Sequence, residues 1–236
     1  MLVSEFIERL SLGPLSNLSL SNDGDGSIKP EKVPAMLNHL NDALTRLFTR
    51  FNLSEKELIL ETVEARTHYK LSSKFAQSRE TEFPDQTPHI IDRNRPFKDD
   101  LVRVLAVTTA TRGKYPLNDD GANLSVFTPQ VNVLQVPNAW LGVPLFVMYQ
   151  AKHPLITANV ENFDLGEIDL PVVLEEAALS YVAHRVFANM SGQEHIAVAA
   201  AHLSGYESIC KEVEDKDLVS SSLSQTNTKF EMRGFV

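Results

Sequence analysis

Cysteine, tryptophan and long apolar runs are what this sequence has least of: one Cys, one Trp, and no stretch near the ~18 consecutive apolar residues of a membrane span. A lone Cys210 forms no internal disulfide, so the chain is expected to fold by burial alone in a reducing compartment. No membrane partner is expected. Positive charge is also in deficit, with 22 Lys and Arg against 31 Asp and Glu, a formal net charge of -9. That balance excludes a protein that grips nucleic acid by neutralising phosphates. Glu5 and Glu8 fall where a signal peptide carries its basic and apolar regions, so the expectation is a chain that starts at Met1 and is made in a cytoplasm. The Asn-x-Ser sequons at Asn17 and Asn123 then carry no glycan.

Chemistry-bearing motifs are equally scarce. The sequence contains no HExxH, CxxC, GxSxG, phosphate-binding glycine loop or dinucleotide fingerprint. Ser204-Gly205-Tyr206-Glu207-Ser208 lies inside a helical pattern and is no nucleophile elbow. Seven histidines show no metal-ligand spacing. His195 and His202 share one side of a helix but stand two turns, about 10 Å, apart along its axis, too far for one ion. They read as surface or interface residues, and His39 and His184 as helix residues of no special role. Glu175-Glu176 and Asp119-Asp120 lack a partner base and read as solvated acids, while Cys210 reads as a packed thiol. Asp23-Gly24-Asp25-Gly26-Ser27-Ile28 resembles the middle of a calcium-binding EF-hand loop, yet that alignment puts Ser21 first and Lys32 last, where the loop needs a bidentate carboxylate. A plain acidic turn is the expected reading. No catalytic residue, metal or cofactor is expected.

What the sequence does have is ordinary globular patterning: 236 residues, 43% hydrophobic. Val3, Phe6, Ile7 and Leu10 fit a short amphipathic helix ended by Gly13-Pro14. After the polar loop 16–29, Pro30 and Glu31 mark a helix start, and Val33, Leu37, Leu40, Leu44, Leu47, Phe48 and Phe51 keep a stripe for about five turns. Period-two alternation from Val63 to Leu71 predicts a strand, with Leu58 to Thr62 as the other arm of a hairpin. Leu101 to Thr109, Val131 to Val136 and Leu145 to Ala151 predict further strands, and the aperiodic 75–100 a long loop. Phe83, Phe97, Phe127 and Trp140, in segments broken by proline, are expected to plug their own loops.

Helices return near the end. Asp169 and Pro171 predict a start for a helix with Leu174, Ala177, Ala178, Tyr181 and Val182 on its apolar face, reaching about Met190. Ser191 and Glu194 have capping-box spacing before a last helix bearing Ile196, Ala199, Ala200, Leu203, Tyr206, Cys210 and Val213. A polar tether with an apolar end, Lys229-Phe230-Glu231-Met232-Arg233-Gly234-Phe235-Val236, closes the chain. Neither helical block can bury a core alone. The expected class is therefore α+β: a helical bundle built from N-terminal helices (1–54) and C-terminal helices (166–216), an inserted antiparallel β sandwich or sheet (55–165), and an extended C-terminal arm (217–236).

The segments VSEFIERLSLGPLSNLSL, DGDGSIKPE, MLNHLNDALTRLFTRFNL and ELILETVEARTHYKL, followed by LVRVLAVTTATRGKYPLNDD, PLFVMYQAKHPLI, IDLPVVLEEAALSYVAHRVF and the pair Tyr206-Glu207, resemble the head-to-tail adaptor (neck, connector) proteins of tailed bacteriophages. In layout the chain is similar to the tail tubular protein A group of short-tailed phages. The resemblance implies a virion structural protein, not an enzyme: a dodecameric homo-oligomeric ring between the portal protein and the tail tube or nozzle protein, through which DNA passes at genome ejection without specific binding. It also implies a terminal extension that docks on the portal or a neighbouring subunit. The candidate is the arm 217–236, with Phe230, Met232, Phe235 and Val236 as anchors. A carbohydrate- or calcium-binding module of a phage or bacterial structural protein is the alternative, on the strength of the β segment and the Asp-Gly turn.

Overall fold

The computed structural model describes residues 1–18, 28–29, 31–63, 65–110, 113–137, 143–157 and 166–219. It is a mixed α+β chain of helices and antiparallel sheets that divides into two compact units, Met1–Ala43 with Ile156–Val236, and Leu44–Leu155.

In the first unit, α1 (Val3–Leu12) buries Val3, Phe6 and Leu10, the stripe its sequence predicts. Its start is tied to the far end of the sequence: Val3 N donates to Gly166 O at 2.9 Å, and Ile168 N to Met1 O at 2.8 Å. Arg9 extends the tie to Glu175, 2.6 Å away. Helix α2 (Val33–Arg50) begins three residues after the expected start at Pro30, and its Ala43/Leu44 junction is where the two units divide. Asn41, in its first half, clasps the backbone of Ile156 through both amide atoms, at 2.8 and 2.9 Å. Helix α3 (Val172–Ala188) buries Leu174, Ala177, Ala178, Leu179, Tyr181, Val182, Ala183, Val186 and Phe187. A helix apolar around most of its circumference belongs in the middle of a core. Helix α4 (Gln193–Asp215) pairs with it as a hairpin, burying Ala199, Tyr206, Cys210 and Val213, with the Tyr181 and Tyr206 rings 5.2 Å apart.

Two expected caps do not form. Helix α4 is entered through Gly192, whose φ of 123° only glycine adopts cheaply, and no side chain caps it. Ser191 therefore sits one residue outside the position from which it could accept from the first turn. Pro171 occupies the cap of α3 rather than its first turn and no side chain caps that helix, which leaves Asp169 two residues upstream of the cap position. Of the residues expected on the apolar face of α4, Ile196 in its first turn is 63% exposed and Ala200 is exposed, whereas Ala199, Tyr206, Cys210 and Val213 are buried.

The second unit carries two sheets. Strands β1 (Glu55–Glu61), β3 (Ile90–Ile91), β4 (Leu101–Thr109), β5 (Lys114–Tyr115) and β8 (Pro144–Ala151) form one in the order β3-β1-β8-β4-β5, and β2 (His68–Lys70), β6 (Phe127–Gln130) and β7 (Val133–Gln135) the other in the order β2-β7-β6. One apolar cluster joins them, with Leu58, Leu60 and Val147 from the larger sheet and Tyr69 and Leu134 from the smaller. Alternation works as expected in β8, where Leu145, Val147, Tyr149 and Ala151 are buried.

The predicted hairpin is not formed. β1 pairs with β3 and β8, whereas β2 pairs with β7 in the other sheet. Between them the chain turns through Ala65 at φ 60°, held by the buried Tyr69 hydroxyl, which accepts from Val63 N at 3.0 Å and reaches Arg66 O at 2.9 Å. This knot redirects the alternating run from one sheet to the other, so only His68–Lys70 of it is strand. At the end of α2, the fully buried Gln150 donates its amide to Phe48 O in the last turn and to Phe51 O just beyond it, at 2.5 and 2.9 Å.

Candidate functional site

The expected long loop is held in place by polar clasps. Two 3-10 turns, Ser73–Phe75 and Gln77–Arg79, each present a serine to an aspartate on the returning strand of chain. Ser78 N and Oγ both donate to Asp92, at 2.9 and 2.6 Å, and Asp92 also accepts from Phe97 N at 2.8 Å. Ser73 N donates to Asp99 at 2.7 Å, its Oγ donates to the second carboxylate oxygen, and Arg79 donates to that Oγ at 3.1 Å. Burial would raise the Asp99 carboxyl, but the Ser73 hydrogen bonds and the Arg79 charge outweigh it and hold the group below its ordinary 3.8.

His89 closes the same loop from inside. It is 1% exposed, stacked on Phe75 at 4.8 Å and edge-on to Tyr69 at 5.4 Å. Arg66 lies 3.0 Å from Nδ1 and Lys70 O 3.0 Å from Nε2. A guanidinium only donates, so Nδ1 accepts and Nε2 carries the proton. Burial lowers the His89 pKa from 6.5, the Arg66 charge adds to this, and the Lys70 carbonyl opposes it. The imidazole is thus held neutral.

Beside the clasped loop, β1, β8 and the 95–100 segment enclose a groove of about 1010 Å³. Its floor includes Phe97 edge-on to Tyr149, with centroids 5.8 Å apart. Asp100 anchors one side: Lys56 Nζ donates to it at 2.5 Å and the Tyr149 hydroxyl at 3.0 Å. Burial and the Asp100 charge push the Tyr149 hydroxyl pKa well up, so it stays protonated and acts as a donor. Arg95, Lys98 and Lys152 also line this groove, together with the carboxylates of Glu55 and Glu57. Leu155 at the rim is 73% exposed.

In the helical unit, His195 and His202 stack on the same Phe187 ring, at 6.0 and 5.7 Å, and His184 Nδ1 lies 2.9 Å from Ala199 O. They serve the α3/α4 contact. Burial, with His184 nearby, lowers the His202 pKa. Burial likewise lowers that of His39, aided by the charge of Arg185 and opposed by Asp42. Among the described residues no group of three or more His, Cys, Asp or Glu could hold a metal ion, and no helix is long and apolar enough to cross a membrane.

Of the residues singled out by sequence, Phe97 is buried, Phe127 half-buried, and Phe83 lies under Arg79 and Lys74, 5.3 and 5.9 Å from their cationic groups. Cys210 is buried. Trp140, the turn 23–26 and the arm residues Phe230, Met232, Phe235 and Val236 lie outside the described residues. Asp92, Asp99, His89 and the groove went unnoticed because their partners are far away in sequence and share no spacing that would mark them.

Charge is unevenly divided. Leu44–Leu155 contains 14 of the 22 Lys and Arg and 12 of the 31 Asp and Glu, a balance of +2, which leaves 8 against 19, or -11, for the rest of the chain. No protein-family model matches the chain, and no curated protein matches it.

Proposed function

We propose that the chain is a head-to-tail adaptor of a tailed bacteriophage: a virion structural protein, not an enzyme, that forms a homo-oligomeric, dodecameric ring in the neck between portal and tail and extends the channel for genome ejection. The observation that carries this reading is the element order. A short helix, a longer helix, a β unit and a closing helical hairpin succeed one another, although the β-hairpin that the resemblance places after the longer helix is replaced by strands that pair in two different sheets. A net charge of -9 suits a conduit past which DNA slides without adhering. The protein is made in the host cytoplasm and resides in the virion.

Electron microscopy of the full chain mixed with portal oligomers tests the proposal. A ring of defined symmetry seated on the portal is expected, and a chain that stays monomeric and never joins the portal contradicts it. In the same reading the arm 217–236 docks on the portal or a neighbour through Phe230, Met232, Phe235 and Val236, so a chain ending at residue 216 should lose portal capture in a pull-down. Undiminished capture refutes that role. Calorimetry with calcium separates the adaptor from the rival calcium- or carbohydrate-binding module, because only a true site gives saturable heat.

A further inference from the structure

The edge of a sheet offers unpaired backbone N–H and C=O groups to any further strand, and most edges of the β unit are covered. Ile90 of β3 is bridged to Ala76, Thr128 N of β6 donates to Asn118 Oδ1 at 2.8 Å, and Lys70 O of β2 accepts from His89 Nε2 at 3.0 Å. Strand β4 differs. It pairs with β8 from Leu101 to Thr109 but with β5 only at Val107 and Thr108, so among the described residues no backbone group pairs with the other edge of 101–106.

Of those six residues only Arg103 is polar, and none of the six is buried, although Leu101 and Val104 lean on the apolar core of the unit. Two bulges, between Leu101 and Arg103 and between Val104 and Ala106, bend the stretch. Such a bend defeats the flat edge-to-edge pairing of two sheets, whereas a single peptide can follow it. At the start of the strand, Leu101 lines a hollow of about 860 Å³ with Leu71, Phe75 and Val131, among polar residues that include Asp99 and Lys74.

The arm 217–236 contains the pattern that such an edge takes. Thr226, Thr228, Phe230 and Met232 alternate with Asn227, Lys229, Glu231 and Arg233, the period of a half-buried strand, and no proline between 217 and 236 removes a backbone donor. At ~3.3 Å per residue, 220–236 supplies about 55 Å of extended chain, more than the roughly 30 Å width of a small domain. Resting on the reading that the arm docks, we infer that residues 226–233 of a second copy of this chain add to the open edge of β4 as an antiparallel strand. That direction carries Phe235 to the Leu101 end of the edge and its hollow. Backbone hydrogen bonds supply affinity, and the alternate side chains of the arm supply selectivity. A closed ring needs two different surfaces per subunit, and here they are an arm and an edge.

Hydrogen exchange of the full chain tests the pairing, read on the amides of 101–106 that do not bond β8. At concentrations where the chain self-associates, F230D/M232D should quicken their exchange by at least about tenfold, and dilution of the unaltered chain to monomers should do the same. A synthetic peptide of residues 220–236, added at about 1 mM to the F230D/M232D chain, should restore the protection. Matching melting temperatures show that the fold is intact. Exchange that F230D/M232D leaves unchanged, or that the peptide does not slow, overturns the inference. If F230D/M232D then still abolishes portal capture, the arm docks on the portal and the arm reading stands. Protection that survives dilution to monomers places the arm on its own chain and also overturns the inference. Exchange, self-association and portal capture all unaltered by F230D/M232D overturn both.

Discussion

The two units close themselves by different means. In the helical unit the core is apolar, with α3 buried along most of its surface and α1 packed through Phe6 and Leu10 at 1% and 0% exposure, and polar contacts such as Arg9–Glu175 and Asn41–Ile156 add to it. In the β unit the sheets share an apolar core, but the 26 residues from Phe75 to Asp100 are held by carboxylates, serines and one neutral histidine. Apolar contacts are nondirectional and have no protonation state of their own, whereas polar closure fixes a loop in one geometry and depends on the protonation of its members. The β unit thereby presents a groove of set shape, and the helical unit carries the excess acid, -11 against +2.

Four experiments can break or sharpen this contrast. Phe6→Ala should have the largest effect, about 3–5 kcal/mol lost in chemical denaturation, with hydrogen exchange quickened in α1 and α3 and little changed in 73–100. Equal loss of protection in both units would show that they do not close separately. Asp92→Ala should cost about 1–3 kcal/mol, because Phe97 N loses its acceptor where the chain is buried. Exchange and proteolytic nicking should rise within 77–97 and not in α3 or α4. An unaltered loop would deny the clasp its role.

The third is acidification. His89, His39 and His202 have pKa values lowered in the fold, so below 6.5 the unfolded chain binds more protons than the folded one and stability falls with pH. Asp99 has a lowered carboxyl pKa, so its stabilisation is present above 3.8 and lost as pH falls through its folded value. Thermal melts from pH 7 to 3 should therefore decline in two stages, and His89→Phe should flatten the first at the cost of the Arg66 and Lys70 hydrogen bonds. A first stage that His89→Phe leaves unchanged would assign it elsewhere. The smallest effect belongs to Ile196→Ser: at 63% exposure its removal should alter the monomer's stability by no more than about 0.5 kcal/mol. A larger loss measured by denaturation would mean that this side of α4 is covered.

The sequence made some of this visible. The stripe from Val33 to Phe48 and the alternation of Leu145, Val147 and Tyr149 are local periodicities, and they returned the helix and strand they predict, along with the α+β class. Where a single distant contact decides the outcome, periodicity misleads. Val63 to Leu71 alternates like one strand, yet the Tyr69 hydroxyl folds its first half into a turn. The caps at Asp169 and Ser191 had suitable residues but were displaced by Pro171 and Gly192, which set the backbone before any side chain could reach. Ser73, Ser78, Asp92 and Asp99 are common loop residues, and only the fold shows which serine meets which carboxylate.

Sedimentation velocity of the full chain at rising concentration, alone and with portal oligomers added, tests most directly the proposal that this is a ring-forming adaptor. The account predicts a closed species with the mass of a dodecamer of the 26.3 kDa chain. A single 26.3 kDa species under every one of those conditions would contradict it.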